Sequence, residues 1–301
     1  MNLTIRTPLI AIITSALLLT SSFASAETLS DKEQLKIAAI EALMATSSER
    51  ALPVLTRVMS SDNSDTVKSR ALFVLSQIDH PDAHAMLLDT AKTGSSQLKE
   101  EAIRTIGISG DPALLKELAS LYGNGDQETQ RQVLHAYLIA GDAESIYDAA
   151  LDTDDEEIFD LAVSRLGAMG ASDQLKRLRD KTGNRRSLIH AYAISGDVES
   201  LLAIARDTSN PEQQEQAIHG LGIAGGGDGS EAALLEIYRA ADTTRIRDAV
   251  MHGMLVGDFD SALLTLFKES EDQGEKSKLL RQLVIMDSDI AMEAIDSALS
   301  D

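Results

Sequence analysis

Four of the six histidines, His135, His190, His219 and His252, stand in one recurring context, each preceded by two apolar residues and followed by Ala or Gly. Imidazoles are the side chains that bind transition metals or titrate near neutrality, so a row of them could hold metal or sense pH. In a helix whose buried stripe runs through Val133, Leu134 and Tyr137, His135 points about 160° from the stripe centre, and the row is expected to face solvent. Equivalent helices stacked about 8–10 Å apart cannot share one zinc, whose ligands lie near 2 Å from the metal, without bending or added carboxylates. A polar row repeated by duplication is the simpler reading.

Other candidate chemistry is sparse. Lys176, Arg177, Arg179, Lys181, Arg185 and Arg186 form a basic segment interrupted by Asp180. In so acidic a chain it reads either as local neutralisation of Asp154, Asp155, Glu156 and Glu157 or as a docking patch for an acidic partner. Gly220, Gly222 and Gly225 match Gly-x-Gly-x-x-Gly, but equivalent positions elsewhere are plain helix with no preceding strand, so helix packing rather than a nucleotide is expected. Asp152, Asp154 and Glu156 have the alternate spacing of a calcium loop, yet Glu157 stands where that loop needs glycine, and helix capping is the expectation. Gly225 to Gly229 reads as a surface loop. Gly-x-Ser-x-Gly, His-Glu-x-x-His and cysteine are all missing from the chain, so no catalytic residue, cofactor or metal site is assigned.

Lysine and arginine number 27 against 48 acids, a net charge of −21. That surface repels phosphate backbones and disfavours nucleic acid as a partner. Arg6, the apolar Leu9–Leu19 run and Ala24-Ser25-Ala26 read as a signal peptide over residues 1–26, leaving a mature domain at 27–301 that is exported to the periplasm or secreted and has no further membrane span.

The elements that must position these residues emerge from self-comparison at a period near thirty. Ala102 to Gly107, Val133 to Tyr137, Ala162 to Gly167, Leu188 to Tyr192, Ala217 to Gly222 and Val250 to Met254 are equivalent helices, closing on Gly110, Gly141, Gly170, Gly196, Gly225 and Gly257. Asp111, Asp142, Asp197 and Asp258 follow directly in four units. Glycine accepts the left-handed backbone that ends one helix, and aspartate caps the next. Gly257 requires a turn one residue shorter than the others. One pair cannot bury its apolar stripe alone, so the pairs must stack. The fold class is therefore all-α, an α-solenoid of about nine helix pairs.

The pattern Ala-x-x-x-Leu-Gly-x-x-Gly-Asp followed by a leucine-rich helix resembles the short HEAT repeats found across bacteria, over residues 30 to 301. The resemblance implies a protein-binding scaffold; with the signal-like start and the missing catalytic motifs, the expectation is a non-enzymatic scaffold in the cell envelope whose second helices line a groove for a protein partner. One branch of that family resembles bilin lyases, which supplies an alternative in chromophore handling; a periplasmic metal- or pH-responsive sensor built on the histidine row is another.

Overall fold

The computed structural model describes residues 30–225, 229–287 and 289–300, so the signal-like segment and residues 226–228 of the glycine loop lie outside the described residues. Eighteen α-helices follow one another, with no strand among the described residues. The chain opens with α1 (Asp31–Ala42), α2 (Ser48–Ser60), α3 (Asp65–Ser76), α4 (Pro81–Thr93), α5 (Ser96–Ser109) and α6 (Pro112–Asn124). It continues through α7 (Gln127–Ala140), α8 (Ala143–Leu151), α9 (Glu156–Ala168), α10 (Ser172–Thr182), α11 (Arg186–Ser195) and α12 (Val198–Ala205). It closes with α13 (Pro211–Ala224), α14 (Ser230–Ala240), α15 (Thr244–Val256), α16 (Asp260–Glu269), α17 (Gln273–Ile285) and α18 (Asp289–Ser300). Most helices pack on their immediate neighbours and on the helix two places away, the arrangement of an α-solenoid.

Odd-numbered helices form one layer and even-numbered helices the other. Gly110, Gly141 and Gly196 end α5, α7 and α11 in the left-handed region, with φ of 62°, 74° and 71°. Asp111 then accepts from Ala113 and Leu114 N–H, Asp142 from Ser145 N–H and Asp197 from Ser200 N–H. Both halves of the Gly-Asp turn thus work as the sequence implies, satisfying orphan groups at consecutive helix ends.

The last such turn departs from expectation. Gly257 has a right-handed φ of −83°, and Asp258 takes the left-handed place with φ 61°. No shortened turn is needed, because Asp258 follows His252 at the interval by which Gly225 follows His219. Phe259 rather than Asp258 is the N-cap of α16, and it offers no side-chain cap. A Cβ at Gly257 would collide with the Phe259 ring, which reserves that position for glycine.

Small residues set the spacing of the odd layer. A Cβ on Gly107 would fall 2.7 Å from Ala136 Cα, and one on Gly167 would fall 3.0 Å from Ala191 Cα. Gly222 meets the Gly253 backbone so closely that a Cβ there would overlap its carbonyl oxygen. From α1 to α15, successive odd helices pack on each other more extensively than successive even helices do. The tighter layer is the inner one of a curved stack, so the odd helices face the concave side.

Two first helices carry His-Ala-Tyr, and their tyrosines tie the layers together. Tyr137 Oη donates to Leu115 O on α6 at 3.4 Å, and Tyr192 Oη donates to Leu175 O on α10 at 3.1 Å. Burial raises both phenols, Tyr192 to about 12, so each stays protonated as a donor. Ion pairs thirty residues apart record the register along the outside, as in Arg206 to Glu236 and Arg239 to Glu269 on even helices, and Lys278 to Asp248 on odd ones.

Two substitutions test this account by chemical denaturation. Gly222→Ala should destabilise the chain by about 1–3 kcal/mol, because two backbones must separate. Asp258→Gly should instead stabilise it by about 0.5–1 kcal/mol, by relieving a left-handed non-glycine residue.

Candidate functional site

On the odd helices, the side opposite the core presents two parallel rows. His135, His190, His219 and His252 are all exposed, as expected, and Arg104 and Ser164 occupy the same position on α5 and α9. One turn further along each helix stands a second row that the repeat comparison did not single out: Ile108, Ile139, Ile194, Ile223 and Val256, with Ala168 on α9. These branched side chains are between 40% and 47% exposed, whereas the apolar residues flanking the histidines are buried. Their signal was available in the sequence as an aliphatic residue four places after each histidine. It was hidden because an aliphatic residue in an amphipathic helix is ordinarily assigned to the core.

The histidines draw closer than the helix spacing suggests. His219 and His252 stack with ring centroids 5.4 Å apart and planes inclined by 5°. Burial first, then the neighbouring His252 and His190, lowers the His219 pKa below its ordinary value of 6.5. Parallel rings present faces rather than converging nitrogens to one another. Among the described residues, no group of three or more His, Asp or Glu is placed to hold a metal ion.

A missing helical turn creates relief on this face. α7, α9, α13 and α15 each begin eight residues before the histidine position, but α11 begins at Arg186, only four before His190. A cleft of about 540 Å³ spans α9, α11 and α13 here, with Asp160, Arg186, His190, Gln216, His219 and Ile223 among its lining. A second cleft of about 620 Å³ sits where the missing turn would lie, setting Asp154, Asp155 and Glu156 opposite Arg185 and Arg186. Both concavities therefore follow from the shortest repeat and involve the first helices.

The basic segment is divided by the structure between two helices and several roles. Arg177 makes a bidentate pair with Glu144 at 2.8 and 2.9 Å and lies 4.1 Å over the Tyr147 ring. Lys176 reaches Glu199 at 3.2 Å and the buried Asp197 at 3.6 Å, and Arg179 contacts Asp180. Glu144, Glu199 and Asp197 belong to neighbouring second helices or their caps and Asp180 to α10 itself, and none to the Asp154–Glu157 run. Arg185 instead covers the Phe159 ring at 4.2 Å. Lys181 is exposed at the end of α10, and neither it nor Arg186 forms an ion pair among the described residues.

Gly220 and Gly222 lie inside α13, where a Cβ would meet Leu201 or the Gly253 backbone, so the glycine motif serves packing. In the acidic turn, Asp155 caps α9 through Glu157 and Ile158 N–H, while Asp152 ends α8. The expected capping is present, but Asp155 performs it.

The ordinary His219 value lies above the folded one, so the unfolded chain holds this proton more tightly. Stability contributed here is complete above about pH 6.5 and is lost as pH falls. Titration followed by NMR should place the His219 midpoint below 6.5, and His252→Ala should move it upward; an unmoved midpoint would remove the coupling across the stack.

Comparison with known proteins adds to this geometry. No curated protein matches the sequence. Among solved structures, human deoxyhypusine hydroxylase in complex with glycerol is similar at 16% identity, covering 90% of this chain and 92% of that one with a TM-score of 0.32. The family model for HEAT repeats matches residues 58–138, so the stretch from the end of α2 through most of α7 consists of HEAT repeats.

Proposed function

We propose that this chain is an exported, non-enzymatic scaffold of nine HEAT-type helix pairs that holds a protein partner along its concave face. HEAT repeats in general mediate protein–protein interaction, and the solenoid offers an extended surface in place of a single deep pocket. The observation that carries the reading is the row of Ile108, Ile139, Ile194, Ile223 and Val256. Each costs free energy by standing in water, and together they recur at one position across successive repeats. A row of aliphatic anchors bordered by histidine, arginine and serine has the apolar core and polar rim of a protein-binding surface. The first helices, rather than the second, carry it.

Export rests on the signal-like residues 1–26 and places the partner in the periplasm or outside the cell. The stacked His219 and His252 favour a second reading in which binding along this face responds to pH, since protonation adds positive charge beside the aliphatic row.

Crosslinking of the exported chain in its own envelope, followed by identification of what it holds, tests the scaffold. Ile139→Asp, Ile194→Asp and Ile223→Asp combined should leave the helical content unchanged and reduce partner recovery at least about tenfold, the effect of losing one or two anchor residues. Undiminished recovery would move the binding face elsewhere.

A further inference from the structure

At two junctions of the odd layer, the residue four places before the histidine position pairs with a residue seven places before that position on the next odd helix. Arg131 on α7 meets Glu157 on α9 in this way at 2.8 Å, and Glu215 on α13 meets Arg245 on α15. Asp160 on α9 and Arg186 on α11 hold the same place, yet neither forms an ion pair among the described residues. The missing first turn of α11 is the reason on one side, since the matching place for Asp160 falls on Gly183, which has no side chain and precedes the helix. On the other side, Glu212 of α13 accepts from Gln216 Nε2 at 3.5 Å and leaves Arg186 without an acid.

Arg186 therefore offers an uncommitted guanidinium to the cleft of about 540 Å³ that spans α9, α11 and α13. His190, one turn further along α11, and His219 on α13 line the same cleft, and each imidazole has a ring N–H to donate in either charge state. Asp160 is the one acid among the described lining residues; Asp154, Asp155 and Glu156 line the neighbouring cleft instead. Ala193 and Gly220 also line the space, and their small size keeps it open. Ile223, a member of the aliphatic row and 41% exposed, stands on its wall.

We propose that this cleft takes an acidic side chain of the protein partner, with Arg186 pairing its carboxylate, His190 and His219 donating beside it, and an aliphatic neighbour in the partner lying on Ile223. The proposal rests on the concave face being the binding surface and adds the chemistry that this part of it selects. Charge complementarity favours the occupant: one guanidinium and two imidazoles face a single carboxylate, in a chain where acids outnumber lysine and arginine by 48 to 27. A planar guanidinium also matches a carboxylate with two parallel N–H···O bonds. Asp160 works against a bound anion, so its removal should strengthen the site.

The chain has no tryptophan, so indole fluorescence reports a tryptophan-bearing probe alone. The probes are the acetylated, amidated peptide Trp-Ala-Leu-Glu-Ala-Leu and its twin with Gln in place of Glu, titrated with the chain from Glu27 onward, which contains every described helix. The Glu peptide should bind at least about tenfold tighter than the Gln peptide and should move the ring NMR signals of His190 and His219. The long-range field of a chain carrying −21 opposes the acidic peptide, so that preference reports the local contact. Arg186→Gln should abolish the preference and Asp160→Asn should increase it; both residues are exposed, and circular dichroism checks that each variant keeps its helices. Failure of both peptides to bind, equal binding of the two, a preference that survives Arg186→Gln, or unmoved His190 and His219 signals overturns the proposal. The isoleucine substitutions judge the concave-face reading separately. If they abolish partner recovery while the two peptides bind alike, the scaffold stands and the carboxylate pocket falls; if the Glu peptide is preferred while recovery is undiminished, the pocket stands and the partner binds elsewhere.

Discussion

The architecture depends on how closely the backbones of successive odd helices can approach. Gly107 against Ala136, Gly167 against Ala191 and Gly222 against Gly253 leave no volume for a larger side chain, so the helices meet main chain to main chain. Among the described residues no glycine makes a comparable contact between even helices, which meet in part through long arginine, lysine and glutamate side chains. A stack with one tight layer and one loose layer must curve. The curvature puts the exposed side of the odd helices on the concave face, and the two recurring rows of histidine and branched aliphatic residues are placed by that constraint.

Regularity makes the exception at α11 consequential. Its neighbours begin eight residues before the histidine position, and the loss of one turn opens two clefts on a face that would otherwise be even. The basic segment lies at the same place, and its members divide by what they touch. Arg177 and Lys176 spend their charge on Glu144, Glu199 and Asp197, tying α10 to the second helices on either side. Arg185 and Arg186 border the clefts and meet an aromatic ring or solvent instead. One stretch of sequence thus ties the short repeat to its neighbours and also borders the two clefts on that face.

Much was legible in the sequence because it depends on local chemistry. The period near thirty, the glycines that turn left-handed after a helix, the aspartates that cap the next helix and the packing role of Gly220 and Gly222 follow from backbone conformation and side-chain size. The solvent-facing direction of the histidines follows from helical geometry. The turn at Gly257 differs although Gly and Asp stand adjacent there as in other units. There Phe259 packs over Gly257, and Asp258 takes the left-handed place.

Tertiary structure decided what depends on relations between helices. Composition could not separate the aliphatic row from the core, since isoleucine on an amphipathic helix looks the same until neighbouring repeats cover one flank and leave the other in water. Nor could it bring His219 and His252 to 5.4 Å, distribute the basic segment among its acids or identify the concave layer. Periodicity along the chain is a one-dimensional property and was readable as such. Which faces remain open is set by how neighbouring repeats cover them, and that is a property of the packed layers.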